Sequence, residues 1–223
     1  MRTIMRTFLP SKIWLLISML FFSFCSSTPQ GFIILCAGDS ITAADYPRFL
    51  QRQFDQAGIL AKVLNYGRSG NTSGEYLAFL KKNTTVLSEE RPDFILIQLG
   101  TNDLREDHDN TSATQFSENM KDIIDIFSGF RTRSGKTPQF LIATIPPIPE
   151  NSLFPFTENS QRRVREEINP VIKQIADAKG LVLVDNYMLL LDQPLLLPEV
   201  HPSREGYRQI AQNWYDSLKP LIR

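Results

Sequence analysis

Short apolar runs alternate along the chain with segments in which apolar residues recur every three or four positions. The runs occupy residues 32–37, 61–64, 94–99, 139–145 and 181–185. Runs of this length that end near glycine, proline or polar residues predict buried strands, whereas the longer spacing predicts amphipathic helices. Because strands and helices alternate five times, we predict a three-layer α/β/α, flavodoxin-like fold with a five-stranded parallel sheet and right-handed crossovers.

The spacing of apolar residues also bounds individual helices. Two are predicted at about residues 74–82 and 205–218, and a longer one covers the region of Pro170. Proline has no backbone N–H and its ring clashes with the preceding turn, so we expect a kink or a break in that helix at Pro170. The clearest helical spacing in the chain joins Phe116, Met120, Ile123, Ile124 and Phe127.

The composition is that of an ordinary globular protein and excludes several classes of function. Lys and Arg together number 24, as do Asp and Glu, so no basic excess suggests a nucleic-acid partner. Histidine occurs only at His108 and His201, and the chain has two cysteines, so a His-rich metal site is excluded and a zinc cluster is not expected. His108 lies among acidic residues and is predicted to be a solvated loop residue, with a substrate contact as the alternative.

The first 27 residues have the organisation of a secretory signal peptide. Three basic residues precede an uncharged stretch, residues 13–24, that is too short to span a bilayer comfortably. We therefore predict a signal peptide over residues 1–27 and a single domain over residues 28–223, in a protein that is secreted, periplasmic or held at the cell envelope. An uncleaved N-terminal anchor is the alternative.

Cys25 gives the N-terminal segment a second interpretation. It follows the uncharged stretch and precedes two serines, as the lipid acceptor of a bacterial lipoprotein does, although Phe24 stands where a small residue is expected. Lipidation of Cys25 would attach the mature protein to a membrane. Without Cys25, the mature chain retains Cys36 alone, in the first predicted strand, and can form no internal disulfide.

Polar loops follow the C-terminal ends of the predicted strands, and a parallel sheet brings these ends to one edge. Ser40 follows the first strand, Gly70 the second and Asn102 the third, and His201 lies in the last loop before the final helix. A serine that attacks an ester needs a base, for which His201 is suited, and the resulting oxyanion needs preorganised donors. The Gly70 N–H and the Asn102 amide are donors of a suitable type. The alternative for Ser40 is a helix or turn cap.

Four sequence blocks at these loops carry a family resemblance. In chain order they are Gly38-Asp39-Ser40-Ile41-Thr42, Asn65-x-Gly67-x-x-Gly70, Gly100-x-Asn102-Asp103 and His201-Pro202. With them the chain resembles the SGNH (GDSL-type) hydrolases from the first predicted strand to the last helix. The resemblance implies esterase or acylhydrolase chemistry, with Ser40 as nucleophile and His201 as base. It also implies an oxyanion hole formed by the N–H groups of Ser40 and Gly70 and the amide of Asn102, and it implies no metal or organic cofactor.

One position departs from the family pattern. The family usually places an aspartate three residues before the histidine, and this chain has Pro198 there. Such an acid orients the imidazole and stabilises its charged form, and its loss costs up to about 10⁴-fold in rate in a serine protease of different fold. Glu199 could serve instead as the third member, a backbone carbonyl could accept the Nδ1–H and leave a Ser–His dyad, or the enzyme is impaired. Asp185 and Asp192 are further, less favoured candidates for the acid that orients His201.

The sequence is compatible with more than one class of substrate. O-acetylated carbohydrate and short-to-medium acyl esters, as small molecules or on glycans, are both compatible with the family. The loops at residues 104–112 and 146–157 are expected to shape the pocket, and the second contains residues that line an apolar site or belong to the core: Ile148, Leu153, Phe154 and Phe156. Two alternatives to a hydrolase are a non-catalytic surface or binding protein that keeps the fold and an O-acyltransferase that passes the acyl group to a sugar hydroxyl.

Overall fold

Five parallel strands form the central sheet in the computed structural model of the protein, which describes residues 31–107 and 110–222. The strands are β1 (Phe32–Gly38), β2 (Ala61–Gly67), β3 (Phe94–Gln98), β4 (Gln139–Ala143) and β5 (Val182–Val184). Their order across the sheet is β2-β1-β3-β4-β5, and every neighbouring pair is parallel. This order is that of flavodoxin-like folds, so the predicted fold class is confirmed.

Helices cover both faces of this sheet and complete the three layers. The helices are α1 (Ser40–Ala43), α2 (Tyr46–Gln56), α3 (Ser73–Glu89), α4 (Ala113–Ser128), α5 (Glu158–Arg163), α6 (Asn169–Lys179), α7 (Asn186–Leu190) and α8 (Arg204–Leu218). Helices α2 and α8 pack against one face, and α3, α4 and α6 pack against the other. In β1, Leu35 and Ala37 face α3 and α4, whereas Ile34 and Cys36 face α2 and α8. All four are fully buried because a central parallel strand is covered on both sides.

The helix predicted at residues 74–82 extends well beyond its predicted end, since α3 runs from Ser73 to Glu89. Thr72 and Glu75 form a capping box at its N-terminus, as a threonine three residues before a glutamate predicts. The second half carries polar residues such as Thr84, whose hydroxyl donates to the carbonyl one turn back. The predicted end is wrong because burial of Leu87 against the sheet stabilises turns that show no amphipathic pattern.

The long helical segment around Pro170 is interrupted, as the sequence predicts. Between α5 and α6 lies a π-helical turn, Val164–Ile168, in which the Asn169 N–H donates to the Val164 carbonyl five residues back. Pro170 occupies the first turn of α6, where a residue without an N–H is tolerated. The π-helical turn therefore joins α5 to α6 just before Pro170, which has no N–H to donate to a carbonyl of the preceding turn.

Several predictions fall outside the described residues. These are the signal peptide at residues 1–27, lipidation of Cys25 and the environment of His108. Within the described part of the chain, no helix combines the length and the apolar character that crossing a membrane requires.

Candidate active site

Ser40 and His201 meet at the C-terminal edge of the sheet. The Ser40 Oγ lies 2.9 Å from the His201 Nε2, although 161 residues separate the two in the sequence. Ser40 is the first residue of α1, two positions after the last residue of β1, and His201 lies in the loop between α7 and α8. At this distance the imidazole nitrogen can accept the hydroxyl proton, which is the geometric requirement for a general base.

The turn that presents Ser40 depends on Gly38 and Asp39. A Cβ at Gly38 would lie 2.4 Å from the carbonyl oxygen of Gln98, so the close approach of β1 and β3 requires glycine here. The Asp39 carboxylate caps α1 by accepting the Ile41 N–H at 3.0 Å. Asp39 is fully buried, and burial raises its pKa from 3.8 to about 6 against the opposing effect of the Ile41 hydrogen bond. The sequence blocks alone predict no role for Asp39, although a charged residue directly after a buried apolar strand indicates one.

The three predicted N–H donors follow neighbouring strands at this edge of the sheet. Gly70 has a φ of +81°, which favours glycine, and a Cβ there would meet no atom within 4 Å, so the position opens onto free space. Among the described residues, neither the Ser40 N–H nor the Gly70 N–H has a hydrogen-bond acceptor. The Asn102 side chain is 6% exposed and donates one Nδ2–H to the Asn71 carbonyl at 3.0 Å, which leaves its second N–H. These donor types are those that stabilise an oxyanion.

A buried carboxylate joins the Gly70 loop to the Asn102 turn. Asp103 is 1% exposed, and its two oxygens accept the Ser73 N–H at 2.9 Å and the Ser73 hydroxyl at 2.6 Å. Asn119 of α4 donates to the same hydroxyl at 2.9 Å. Burial raises the pKa of Asp103, and the two Ser73 hydrogen bonds oppose that rise. Asp103 belongs to the third sequence block, which by itself predicts no role for it. In the structure Asp103 acts as a brace between the loop after β2 and the turn after β3.

No carboxylate among the described residues forms a hydrogen bond or ion pair with His201. Among residues 31–107 and 110–222, the one side-chain hydrogen bond of His201 is to Ser40, and His201 itself is exposed. Glu199 is exposed as well and makes no hydrogen bond or ion pair within that part of the chain. The structure therefore brings the predicted nucleophile and base within hydrogen-bond distance, and among the described residues it gives the predicted third member no hydrogen bond to either of them.

Two other positions considered for the acid, Pro198 and Asp185, are engaged elsewhere, and Asp192 lines a cavity. The carbonyl of Pro198 accepts the Asn151 Nδ2–H at 2.9 Å, which ties the histidine loop to the loop after β4. Asp185 caps α7 by accepting the Met188 N–H at 3.1 Å, and it also accepts the Thr144 hydroxyl at 2.8 Å. The sequence pattern did not predict a helix at the position of α7.

Within the described residues, no group of three or more His, Cys, Asp and Glu side chains is arranged to hold a metal ion.

The loop after β4 lines a cavity, to which one of the four apolar candidate residues contributes. A cavity of about 510 Å³ lies between this loop, the π-helical turn, α7 and the chain that leads to His201. Of the four apolar candidates, Ile148 lines it. Leu153 and Phe154 are 84% and 71% exposed, and Phe156 packs against the core. Residues 104–107 and 110–112 of the other predicted loop do not line this cavity.

The fold is shared with solved structures of distant sequence. A carbohydrate acetylesterase family member from Sinorhizobium meliloti superposes with a TM-score of 0.71 at 19% sequence identity, over 86% of this chain and 99% of that protein. At this level of identity the likeness extends to the fold alone.

Sequence comparison connects the chain to esterases and to a family. A multidomain esterase from Ruminococcus flavefaciens is 24% identical over 59% of this chain and 16% of that protein. An acetylxylan esterase from Xylanibacter ruminicola is 24% identical over 80% of this chain and 41% of that protein, so the chain spans less than half the length of either curated relative. The family model described as "GDSL-like Lipase/Acylhydrolase family" matches residues 36–209, which contain all four sequence blocks. The chain therefore belongs to the GDSL-like lipase/acylhydrolase family, a family of carboxylic ester hydrolases.

Proposed function

We propose that the protein is a serine esterase that transfers an acyl group from an ester to Ser40 and then to water. The observation that carries this proposal is the 2.9 Å separation between the Ser40 Oγ and the His201 Nε2 at the edge of the sheet. The unpaired N–H groups of Ser40 and Gly70 and the amide of Asn102 lie on the loops of the same edge and support it.

The proposed reaction proceeds in two acyl transfers. The His201 Nε2 takes the hydroxyl proton as the Ser40 Oγ attacks the carbonyl carbon of the ester, and the developing oxyanion is stabilised by the Ser40, Gly70 and Asn102 donors. Collapse of this intermediate breaks the bond to the alcohol, which leaves with the proton from His201. Water, deprotonated by the same imidazole, then attacks the acyl-enzyme and releases the acid, so that Ser40 recovers its proton.

The base works in this proposal as one half of a Ser–His dyad. The absence of a carboxylate partner for His201 among the described residues supports the dyad over a triad with Glu199. Solvent can hydrogen-bond the Nδ1–H because the side chain is exposed. An imidazolium stabilised by water alone forms less readily than one paired with a buried acid, so we expect a modest turnover number.

The proposed substrate is a short acyl ester, with acetyl esters of carbohydrates as the preferred class. Both curated relatives are named esterases, and one is named an acetylxylan esterase. The exposure of Leu153 and Phe154 also supports a short acyl group, because a long chain requires an enclosed apolar site. Export directed by residues 1–27, which we propose as well, would place the enzyme with extracellular polysaccharide.

The proposal is tested with p-nitrophenyl acetate, butyrate and octanoate. Ser40→Ala should lower kcat/KM on the acetate ester by at least about 10³-fold, and His201→Ala should do the same, because both remove the attacking group or its base. Ser88→Ala, at the far end of α3, is the control and should keep wild-type rates. Circular dichroism checks that each variant is folded.

Two results of this assay would overturn the proposal. Turnover that survives in Ser40→Ala would exclude Ser40 as the nucleophile. Equal, negligible rates of the wild type and both variants on every ester, including acetylated xylose, would favour a binding protein that keeps the fold. Transfer of the acyl group to an added sugar at the expense of free acid would identify an acyltransferase instead.

A further inference from the structure

A cavity adjoins the chain segment that carries His201. It has a volume of about 510 Å³, within the range of small-molecule sites, and its wall includes Leu197 and Pro198. Three residues of chain span at most about 11 Å, so the Cα atom of Pro198 lies within that distance of the Cα atom of His201. None of Ser40, Gly70, Asn102 and His201 lines the cavity, so a substrate held at Ser40 would reach it through the part that lies beyond the ester group.

The wall of the cavity is held in place before any ligand binds. The Pro149 carbonyl accepts the Gln161 Nε2–H at 3.3 Å, and the Pro198 carbonyl accepts the Asn151 Nδ2–H at 2.9 Å. All four residues line the cavity, and the two prolines restrict the backbone further. A preformed site binds a ligand without the entropic cost of ordering its own loops.

Two hydrogen-bond donors on this wall have no partner among the described residues. Arg162 and Arg163, on the same helical segment as Arg165, form ion pairs with acidic residues one turn on. Arg165 lines the cavity and forms neither an ion pair nor a hydrogen bond in that part of the chain. Tyr187 also lines the cavity, and its hydroxyl has no hydrogen-bond partner in the same part of the chain; burial raises the pKa of Tyr187, which keeps the donor proton in place at neutral pH.

We propose that this cavity binds the sugar portion of an O-acetylated carbohydrate, with Arg165 and Tyr187 donating to sugar hydroxyls while the acetyl group lies at Ser40. This assignment rests on the proposed esterase function. Glu150 and Asp192 on the same wall supply acceptors, so the site offers both donors and acceptors to a neutral polyhydroxylated ligand.

The same wall disfavours the two other classes of ligand. An anion attracted by Arg165 would meet the carboxylates of Glu150 and Asp192. An acyl chain would cover Arg165, Tyr187 and the two carboxylates without replacing the hydrogen bonds that these groups make to water.

Direct binding tests the assignment without relying on turnover. In the full chain with Ser40→Ala, binding of xylotetraose, cellotetraose and mannotetraose is measured by titration calorimetry. For the oligosaccharide that binds, Arg165→Ala should weaken the affinity about tenfold and Tyr187→Phe about threefold, as expected for a charged and a neutral hydrogen bond. Arg162→Ala, three residues earlier on the same segment, is the matched control and should stay within about twofold of the parent, since its ion pairs are at the surface.

Kinetics on two substrates separates this inference from the proposed function. Arg165→Ala should lower kcat/KM on acetylated oligosaccharide about tenfold more than on p-nitrophenyl acetate, whereas the control Arg162→Ala should keep both values within about twofold of the wild type. Turnover of p-nitrophenyl acetate with no binding of any of the three oligosaccharides, or with equal affinity in all variants, would overturn the cavity assignment and leave the esterase in place. Binding that depends on Arg165 in a protein without esterase activity would overturn the proposed function and leave the cavity assignment in place.

Discussion

Ser40 and His201 reach their common hydrogen bond from two differently built regions of one sheet edge. On the serine side, α1 follows β1, the Gly70 loop follows β2 and the Asn102 turn follows β3, and these three strands are neighbours in the sheet. Two buried carboxylates, Asp39 and Asp103, form hydrogen bonds within this region. On the histidine side, the chain from α7 to α8 is irregular and largely exposed. It is held by backbone contacts such as the Ser203 N–H on the Leu196 carbonyl at 2.8 Å and by the buried side chain of Leu197.

The difference follows from what each region has to do. Oxyanion donors stabilise charge only if their positions are fixed before the reaction begins, because any reorganisation then costs free energy. Buried, fully hydrogen-bonded groups such as the Asp103–Ser73 pair give that rigidity. A base must reach the serine, then the leaving group, then water, and an imidazole on an exposed loop can serve all three. We therefore expect substitutions of the buried carboxylates on the serine side to change mainly the free energy of unfolding. Substitutions on the histidine side should change mainly the catalytic rate.

Removal of the Asp103 carboxylate should have the largest effect on stability. Asp103→Ala leaves the Ser73 N–H and hydroxyl buried with one acceptor fewer each, which should lower the free energy of unfolding by about 3 kcal/mol. Urea unfolding measures this value. Asp122→Ala removes an exposed carboxylate that pairs with Lys81 at 3.7 Å, and it should change the free energy by less than about 1 kcal/mol. Equal effects of the two substitutions would show that the brace contributes nothing.

Titration of Asp39 should make stability depend on pH. Its pKa is raised in the folded protein from 3.8 to about 6, so the native state holds the proton more tightly than the unfolded chain does. The stability that the neutral carboxyl provides is therefore present below about pH 4 and is lost as the pH rises through about 6, by about 3 kcal/mol in total. Asp39→Asn keeps an acceptor for the Ile41 N–H but does not titrate.

Urea unfolding of wild type and Asp39→Asn between about pH 4 and pH 7 measures this contribution. The wild type should lose stability relative to the variant as the pH rises. A constant difference between the two proteins across this range would contradict a buried, titrating Asp39.

A carboxylate placed beside His201 should raise the rate. Pro198→Asp restores an acid three residues before the histidine, and it leaves the backbone carbonyl that accepts from Asn151 in place. By stabilising the imidazolium, the substitution should raise kcat on p-nitrophenyl acetate by about tenfold. Pro198→Asn is matched in size and carries no charge, so it should leave kcat near that of the wild type. An equal rise in both variants would attribute the effect to loss of the proline.

The smallest effect is expected at Glu199. Because its side chain makes no hydrogen bond or ion pair in the described structure, Glu199→Gln should change kcat by less than about twofold. The pH profile of kcat/KM should keep the position of its acid limb. A loss of tenfold or more would contradict the dyad and show that Glu199 approaches His201 during the reaction.

The sequence predicted the parts of this molecule that depend on local patterns. Apolar runs located the five strands, and their alternation with helices led to the parallel sheet, because each strand is buried on both faces. Since parallel strands bring their C-terminal ends to one edge, the sequence also predicted that Ser40, Gly70, Asn102 and His201 lie at that edge, and the structure shows the contact between Ser40 and His201. Strand and helix ends were less accurate, as α3 illustrates, because burial of Leu87 extends the helix without a local signal.

Only the tertiary structure decided which groups touch. No local pattern shows that the Ser40 Oγ lies 2.9 Å from the His201 Nε2, that Asp103 braces Ser73, or that Glu199 makes no hydrogen bond or ion pair among the described residues. Nor does a local pattern show that Arg165 lines a cavity and, unlike Arg162 and Arg163, forms no ion pair among the described residues. These contacts join residues that are distant in the sequence, and their geometry is set by how the helices and loops pack around the sheet rather than by the residues next to them in the chain.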